Sequence, residues 1–383
     1  MKVLMVTPKF KPAMGGAEEY IYQLSKRLIK RGHEVVIYTS DLLATFPQYS
    51  YTTKGDSDYD GIPVRRFHAY RLLRNYPVVP GMIPALMREE ADIIHAHVYG
   101  QFTTDFVALV SAIRRVPLIF TPQGFALQHP LKRVYIRLSK MTTLKAFTRV
   151  ICPSTSELKQ FAQLVHPDKT IRIPEGIDIA FWQTSPQGSF REKHKIGGPL
   201  IAGVGRLLYR KGFQHVIQAM PAVLQRFPEA TLVIGGQDFG YLKELEGLTS
   251  ELKVERSVVF TGPLSTEEVR ELLAAADVVV IPSIYGEGQP SVLLEAMASG
   301  KPIVASVADW SLDMIMPGEN GLLVEPGDST GLGNAIITLL EDSALSARMA
   351  SINRDEAKKY SWDAMAEEIK GLYYECLGQR GRV

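Results

Sequence analysis

The chain has 383 residues, 46% of them hydrophobic and 22% charged, which is the composition of an ordinary soluble globular protein with room for two or three domains. Two cysteines, Cys152 and Cys376, exclude a disulfide framework and a cysteine metal cluster, and they fit a reducing compartment. The opening MKVLMVTP is too short for a signal-peptide core, no apolar run reaches membrane-spanning length, and a cytosolic chain beginning at Met1 is expected. The net charge of +2 hides an asymmetry: residues 1–190 hold 24 Lys+Arg against 15 Asp+Glu, and residues 191–383 hold 19 against 26. That split suggests two domains with different partners, the basic one suited to an anionic acceptor or lipid surface, or else carrying a solvated basic face.

Residues 3–7 read as a strand, and Ile21, Leu24, Leu28 and Ile29 recur at helical spacing up to a basic and glycine end at Arg31 and Gly32. Residues 34–39 are the next strand, so the chain opens as a doubly wound sheet. Gly15 and Gly16 lie where a backbone could close around a phosphate at the helix start, or simply turn. Residues 41–60 are polar and tyrosine-rich and are expected as a loop over the sheet. Residues 91–97 form a strand ending in His95 and His97, two apart and so on one side. They could bind metal, but no third ligand is near. Residues 117–121 form a strand that leads into Pro122, Gln123, Gly124 and Phe125. Residues 132–149 read as one basic helix, with Lys132, Arg133, Arg137, Lys140, Lys145 and Arg149 interleaved with apolar positions.

Residues 181–199, rich in Gly, Pro, Ser and charge, are expected to link the domains. Residues 200–205 restart the strand, glycine and helix pattern, with Gly205, Arg206, Lys211 and Gly212 in the turn. Arg206 and Lys211, at a strand end before a helix, are placed to clamp a diphosphate; two surface cations are the plain alternative. Residues 230–236 are a strand ending in Gly235 and Gly236, and Ser265 with Glu268 makes a capping box.

Residues 277–306 organise the whole chain. An apolar strand at 277–283 is followed by a loop at 284–289, a helix opened by Pro290 and ended by Gly300, and a strand at 301–306. With Pro290 at the first helical position, the free donors are Ser291, Val292 and Leu293, a start that favours a phosphate. Glu287 and Glu295 flank that site. Two carboxylates beside a phosphate repel it unless they hold hydroxyls, and a nucleotide sugar supplies both.

The motif PSIYGEGQPSVLLEAMASGKPIVAS, with Glu287-x7-Glu295, resembles the signature of family 4 retaining glycosyltransferases of the GT-B fold, the glycosyl transferases group 1. The resemblance covers nearly the whole chain and is most specific in residues 200–325. It implies an α/β architecture of two Rossmann-like domains facing across a cleft. Residues 1–185 would form the acceptor side, 186–360 the donor-binding domain, and 361–383 a helix crossing back. Glu287 would lie over the donor sugar and its leaving bond, Glu295 would bind ribose, and Arg206 and Lys211 of GRLxxxKG would stabilise the departing phosphates. Gly205, Gly236, Gly288 and Pro290 would border the donor with Ser291, Val292 and Leu293. Gly15 and Gly16 of PxxGGxE would contact the donor diphosphate or the acceptor, and His97 of DxxHxH, on the first domain, would face the cleft and the donor. Glu175 replaces the Asn of the family's NG[IV]D turn. Gln123 stands where many relatives carry a histidine that contacts the donor sugar; Gln donates and accepts hydrogen bonds but does not titrate.

The implied partners are a nucleoside-diphosphate sugar and a hydroxyl acceptor, anionic or lipid-linked, with peripheral membrane contact at the inner face through Lys132 to Arg149. No metal, cofactor or nucleic acid is expected. A glycosidase would leave the phosphate features idle. A GT-B sugar-nucleotide epimerase would need no acceptor. A non-catalytic sugar-nucleotide binder draws its support from Gln123.

Overall fold

Unbroken apolar runs such as LIAGV at Leu200–Val204 and VVVI at Val278–Ile281 need cover on both faces, and they lie in the middle of a parallel sheet. The computed structural model describes residues 1–13, 15–44, 50–73, 76–123, 130–140, 142–186 and 189–380. The chain forms two compact Rossmann-like units, residues 1–176 with 362–383, and residues 177–361.

In the first unit the sheet runs, edge to edge, through Thr170–Arg172, Arg149–Cys152, Leu118–Thr121, Ile93–His97, Lys2–Val6, Glu34–Ser40, Ile62–Phe67 and Gly55–Tyr59. The pairs are parallel except the last, which is antiparallel. Strand order reverses between Lys2–Val6 and Ile93–His97, a switch point where ligands collect at the carboxyl ends. One face is covered by the helix Gly16–Lys30 and the closing helix Trp362–Arg380, through Ile21, Leu24, Trp362 and Tyr373. The other is covered by Phe102–Arg114 and its neighbours, with Phe120 and Phe147 stacked at 4.4 Å.

The second sheet is wholly parallel: Val258–Gly262, Thr231–Gly235, Leu200–Val204, Val278–Ile281, Ile303–Ser306 and Leu322–Val324. Its order reverses between Leu200–Val204 and Val278–Ile281. The helices Phe213–Arg226 and Ser329–Glu341 cover one face, and Thr266–Ala275 with Ser291–Ala298 cover the other. Ser265 and Glu268 form the expected capping box.

Three expectations need correction. Residues 181–199 are not a linker: Asp178 caps the short helix Ile179–Gln183, and Trp182 and Phe190 are buried in the core of the second unit. Two aromatic anchors outweigh the polar composition around them, and the chain crosses between units at Gly176–Ile177 and again at Ser361–Trp362. Residues 132–149 are not one helix. Pro130–Ser139 and Thr143–Ala146 are separate, and Arg149 opens a strand, where it pairs with Glu375. Thr142 and Thr143 spend their hydroxyls on the Leu138 carbonyl and on Asp105, a competition that interrupts helices. The side chains of Lys132 and Arg133 lie outside the described residues, as do Gly124 and Phe125. Residues 41–60 also contain structure. Leu42–Ala44 pairs with Ser50–Tyr51, and Gly55–Tyr59 is an exposed edge strand, which its polar GDSDY disguises.

Candidate functional site

In the second unit the strand ends at the switch point are held together by backbone. Gly236 carries φ +152°, and a Cβ there would collide with the Gly205 carbonyl oxygen, so the turns after Leu200–Val204 and Thr231–Gly235 interlock. Gly212 carries φ +74°, and a Cβ there would strike the Pro282 carbonyl oxygen. The Ile284 N–H donates to the Arg210 carbonyl at 2.8 Å. The turn bearing residues 205–212 is thereby fastened to the loop bearing Glu287.

Three charges gather on that joint. Glu287 Oε1 lies 2.8 Å from Arg210 Nη1 and 3.0 Å from Lys211 Nζ, with side-chain exposures of 8% for Glu287 and 12% for Lys211. Ser283 Oγ donates to the same oxygen at 3.4 Å. Arg210 also donates to the Gly286 carbonyl at 2.8 Å, fixing the loop just before Glu287. Burial pulls the Lys211 pKa below the ordinary lysine value, against the raising effect of Glu287. Arg206 lies over the Phe239 ring at 5.5 Å, and its pKa is lowered first by desolvation and then by Arg210. Expected to hold sugar hydroxyls, Glu287 here serves as counter-ion to two cations. Its capacity is not spent, because a carboxylate offers about four lone-pair sites.

The helix start differs from expectation in one respect. Pro290 is the N-cap of Ser291–Ala298, and the Leu293 N–H already donates to the Pro290 carbonyl at 3.0 Å. Ser291 and Val292 remain as donors for an anion. Ser291 is exposed, Val292 is buried, and Glu295 is half-buried one turn in. Gly288 lies in the loop between Glu287 and Pro290. Gly300 and Lys301 close the helix with bonds to the Met297 and Ala296 carbonyls.

The remaining nominated residues belong to the first unit. Gly15 is the N-cap of Gly16–Lys30, and a Cβ on it would meet the Glu18 carboxylate. That buried carboxylate, 3.7 Å from Lys9 Nζ, already lies at the helix start that the glycines suggested for a phosphate. His95 is satisfied on both nitrogens, by the Tyr373 hydroxyl at 2.6 Å and the Thr121 hydroxyl at 2.8 Å. Burial pushes its pKa down to about 3. His97, its ring 4.2 Å from that of His95, is fully buried and held neutral by the same cause. Neither its nitrogens nor the amide of Gln123 has a hydrogen-bond partner among the described residues. Both stand at adjacent strand ends, where Val98 (φ +68°) and Gln123 (φ +52°) are left-handed. For a β-branched valine that is a true outlier, and such strain collects at functional sites. Among the described residues no group of three or more His, Cys, Asp or Glu side chains is placed to hold a metal ion.

Sequence reasoning missed Arg210 and Val98. Arg210 stands beside Lys211 in the sequence and reads there as one more surface cation. Nothing local marks Val98.

Residues 14–181 match the family model described as Glycosyltransferase Family 4, and residues 186–356 match that of the Glycosyl transferases group 1. A glycosyltransferase of Methanocaldococcus jannaschii is 30% identical, the match covering 100% of both chains. A D-inositol 3-phosphate glycosyltransferase of Corynebacterium efficiens is 27% identical, covering 98% of this chain and 96% of that one. Among solved structures, HepE of Anabaena in complex with UDP has a TM-score of 0.78 and 26% identity, over 98% of this chain and 100% of that one.

Proposed function

The chain belongs to glycosyltransferase family 4, has the GT-B fold and takes its sugar from a nucleotide sugar, and on that premise we propose a retaining, metal-independent transfer to a hydroxyl acceptor. The observation that carries the reading is the buried Lys211 held with Arg210 on Glu287, in the loop that leads into the Ser291 helix. Cations kept in low dielectric act strongly on charge that grows on a leaving diphosphate. Arg206, Lys211 and the Ser291 and Val292 N–H groups stabilise that charge in place of a metal ion. Gly205, Gly236, Gly288 and Pro290 shape the backbone around the nucleotide, and Glu295 holds the ribose.

As the diphosphate enters, its oxygens replace the Glu287 carboxylate on Lys211. Glu287 is then free to accept from the hydroxyls of the sugar and to favour the developing cationic carbon. The bond from the anomeric carbon to phosphate oxygen breaks, the acceptor oxygen bonds to that carbon on the same face, and the departing phosphate oxygen takes the acceptor proton. Gln123 and His97, whose side-chain nitrogens and oxygen have no hydrogen-bond partner among the described residues, hold the reacting sugar by hydrogen bonds and transfer no proton.

The first unit serves the acceptor and the second the donor. UDP is the first base to test, since HepE was solved with it. The inositol phosphate in a relative's name supports an anionic acceptor, and exposed Arg137, Lys140 and Lys145 give an anionic surface, a lipid-linked acceptor's membrane included, a place to settle. No described helix is long and apolar enough to cross a membrane. The test is a melting-shift panel of UDP-, GDP- and ADP-sugars, followed by transfer in chelator with the product anomer read by NMR. An inverted product, or activity lost to the chelator and restored by a divalent ion, would refute the proposal.

A further inference from the structure

Asp41 and His68 follow adjacent parallel strands, Glu34–Ser40 and Ile62–Phe67, at the carboxyl edge of the first sheet. The Asp41 N–H donates to the Phe67 carbonyl at 2.9 Å, locking the two strand ends side by side. The Asp41 carboxylate is only 5% exposed and uses both oxygens. One accepts the Ala69 N–H at 3.0 Å, and the other lies 2.7 Å from His68 Nδ1. His68 itself is 45% exposed. Tyr51 and Tyr70, both prominent at the surface, flank it, with ring centroids 5.8 Å away at a 32° tilt and 4.7 Å away edge-on. The Thr52 N–H donates to the Asp41 carbonyl at 2.7 Å and ties the Tyr51 segment to the same spot.

The strand ends are already paired by the Asp41 N–H on the Phe67 carbonyl, and one carboxylate oxygen suffices for the Ala69 N–H. The second carboxylate oxygen orients a ring that contributes little to the core. In the neutral ring a carboxylate partner makes Nδ1 the donor and leaves Nε2 as the acceptor. Three rings packed on one another yet left about half exposed cover little of the core, and Tyr supplies rigid amphipathic contact area at binding surfaces. Aromatic faces meet the apolar C–H faces of a sugar ring, while an adjacent acceptor meets a ring hydroxyl.

We propose that Tyr51, Tyr70 and His68, with Asp41 as positioning residue, form a subsite for a polyhydroxylated ring, a pyranose or a cyclitol, that seats the acceptor. The assignment rests on the glycosyl-transfer reading for the word acceptor; the binding itself does not.

The experiment uses the full chain without donor, labelled with nitrogen-15 at histidine and carbon-13 at tyrosine. Methyl α-glucopyranoside, methyl α-mannopyranoside and myo-inositol are the probes. At least one probe should shift the His68, Tyr51 and Tyr70 signals, and Tyr70→Ala and His68→Ala should each weaken that binding about tenfold or more while the donor-induced melting shift persists. Asp41→Asn, which no longer compels Nδ1 to donate, should change the His68 ring nitrogen shifts and weaken the same probe, which a merely structural carboxylate would not do. His68→Gln should restore part of the binding lost in His68→Ala. If no probe moves those signals, or if both alanine variants bind as the native chain does, the subsite is overturned. Probe binding intact with no melting shift from any donor would count against the donor assignment instead.

Discussion

Glu287 and Lys211, 76 residues apart in sequence, share a buried ion pair of 3.0 Å in which Glu287 Oε1 also meets Arg210. Removing either partner leaves a buried charge short of its counter-ion. The pair therefore ties a stability effect to any functional one, and isosteric variants separate them.

Lys211→Ala should lower turnover by roughly 2–4 kcal/mol of transition-state stabilisation, by analogy with loss of an oxyanion-site donor. Because burial depresses the Lys211 pKa, the alkaline decline in donor affinity should begin below the pH an ordinary lysine would impose. Lys211→Arg should move that decline to higher pH. Titrating nucleoside diphosphate by calorimetry across the alkaline range checks both.

Glu287→Gln keeps the shape and removes the charge that competes with phosphate for Arg210 and Lys211. Affinity for the bare nucleoside diphosphate should hold or rise while transfer falls by about 10-fold or more, a loss in the transition state alone. Transfer at the native rate would remove the residue from the mechanism.

Glu295→Ala should act differently, weakening the nucleotide and its sugar alike, with a smaller effect on turnover at saturating donor. Equal melting shifts with UDP in variant and native chain would contradict the ribose role.

His95 titrates near 3 and His97 well below its ordinary value because burial disfavours the charged ring. Unfolded histidines take up protons near pH 6.5, so the folded chain is fully favoured above that pH and loses stability as the pH falls. The slope is up to about 1.4 kcal/mol per pH unit for each histidine. His95→Gln should lower stability at neutral pH but flatten the acid slope in urea titrations.

Gly212→Ala should unfold the joint between the two loops. A left-handed alanine alone costs about 1–3 kcal/mol, and the Pro282 carbonyl cannot retreat without disturbing its strand end. A lower melting temperature together with loss of the donor shift is the expected result.

Much of the layout is legible in the residues. The strand, loop, helix and strand of residues 277–306, the capping box at Ser265 and the glycine turn bearing Arg206 and Lys211 all follow from local chemistry. What is not legible depends on where side chains point once turns have closed. Arg210 reaches Glu287 because Gly286 bends its own carbonyl toward it. Leu293 loses its place as an anion donor because the first turn tightens onto Pro290. Glu18 fills the start of its own helix, which a Gly-Gly pair alone cannot reveal. Trp182 and Phe190 make core from a stretch whose neighbours read as spacer, since two large rings outweigh many small polar residues.

The return of the chain at Ser361–Trp362 has a consequence for anyone who would cut the gene in two. A fragment ending at the first crossing would lack Tyr373, whose hydroxyl holds His95 Nδ1, and Trp362, whose ring lies 5.2 Å from that of Tyr20. The amino-terminal half is therefore not an autonomous module. To become one it must carry its last 22 residues grafted back on, as a split protein does when its pieces are supplied together.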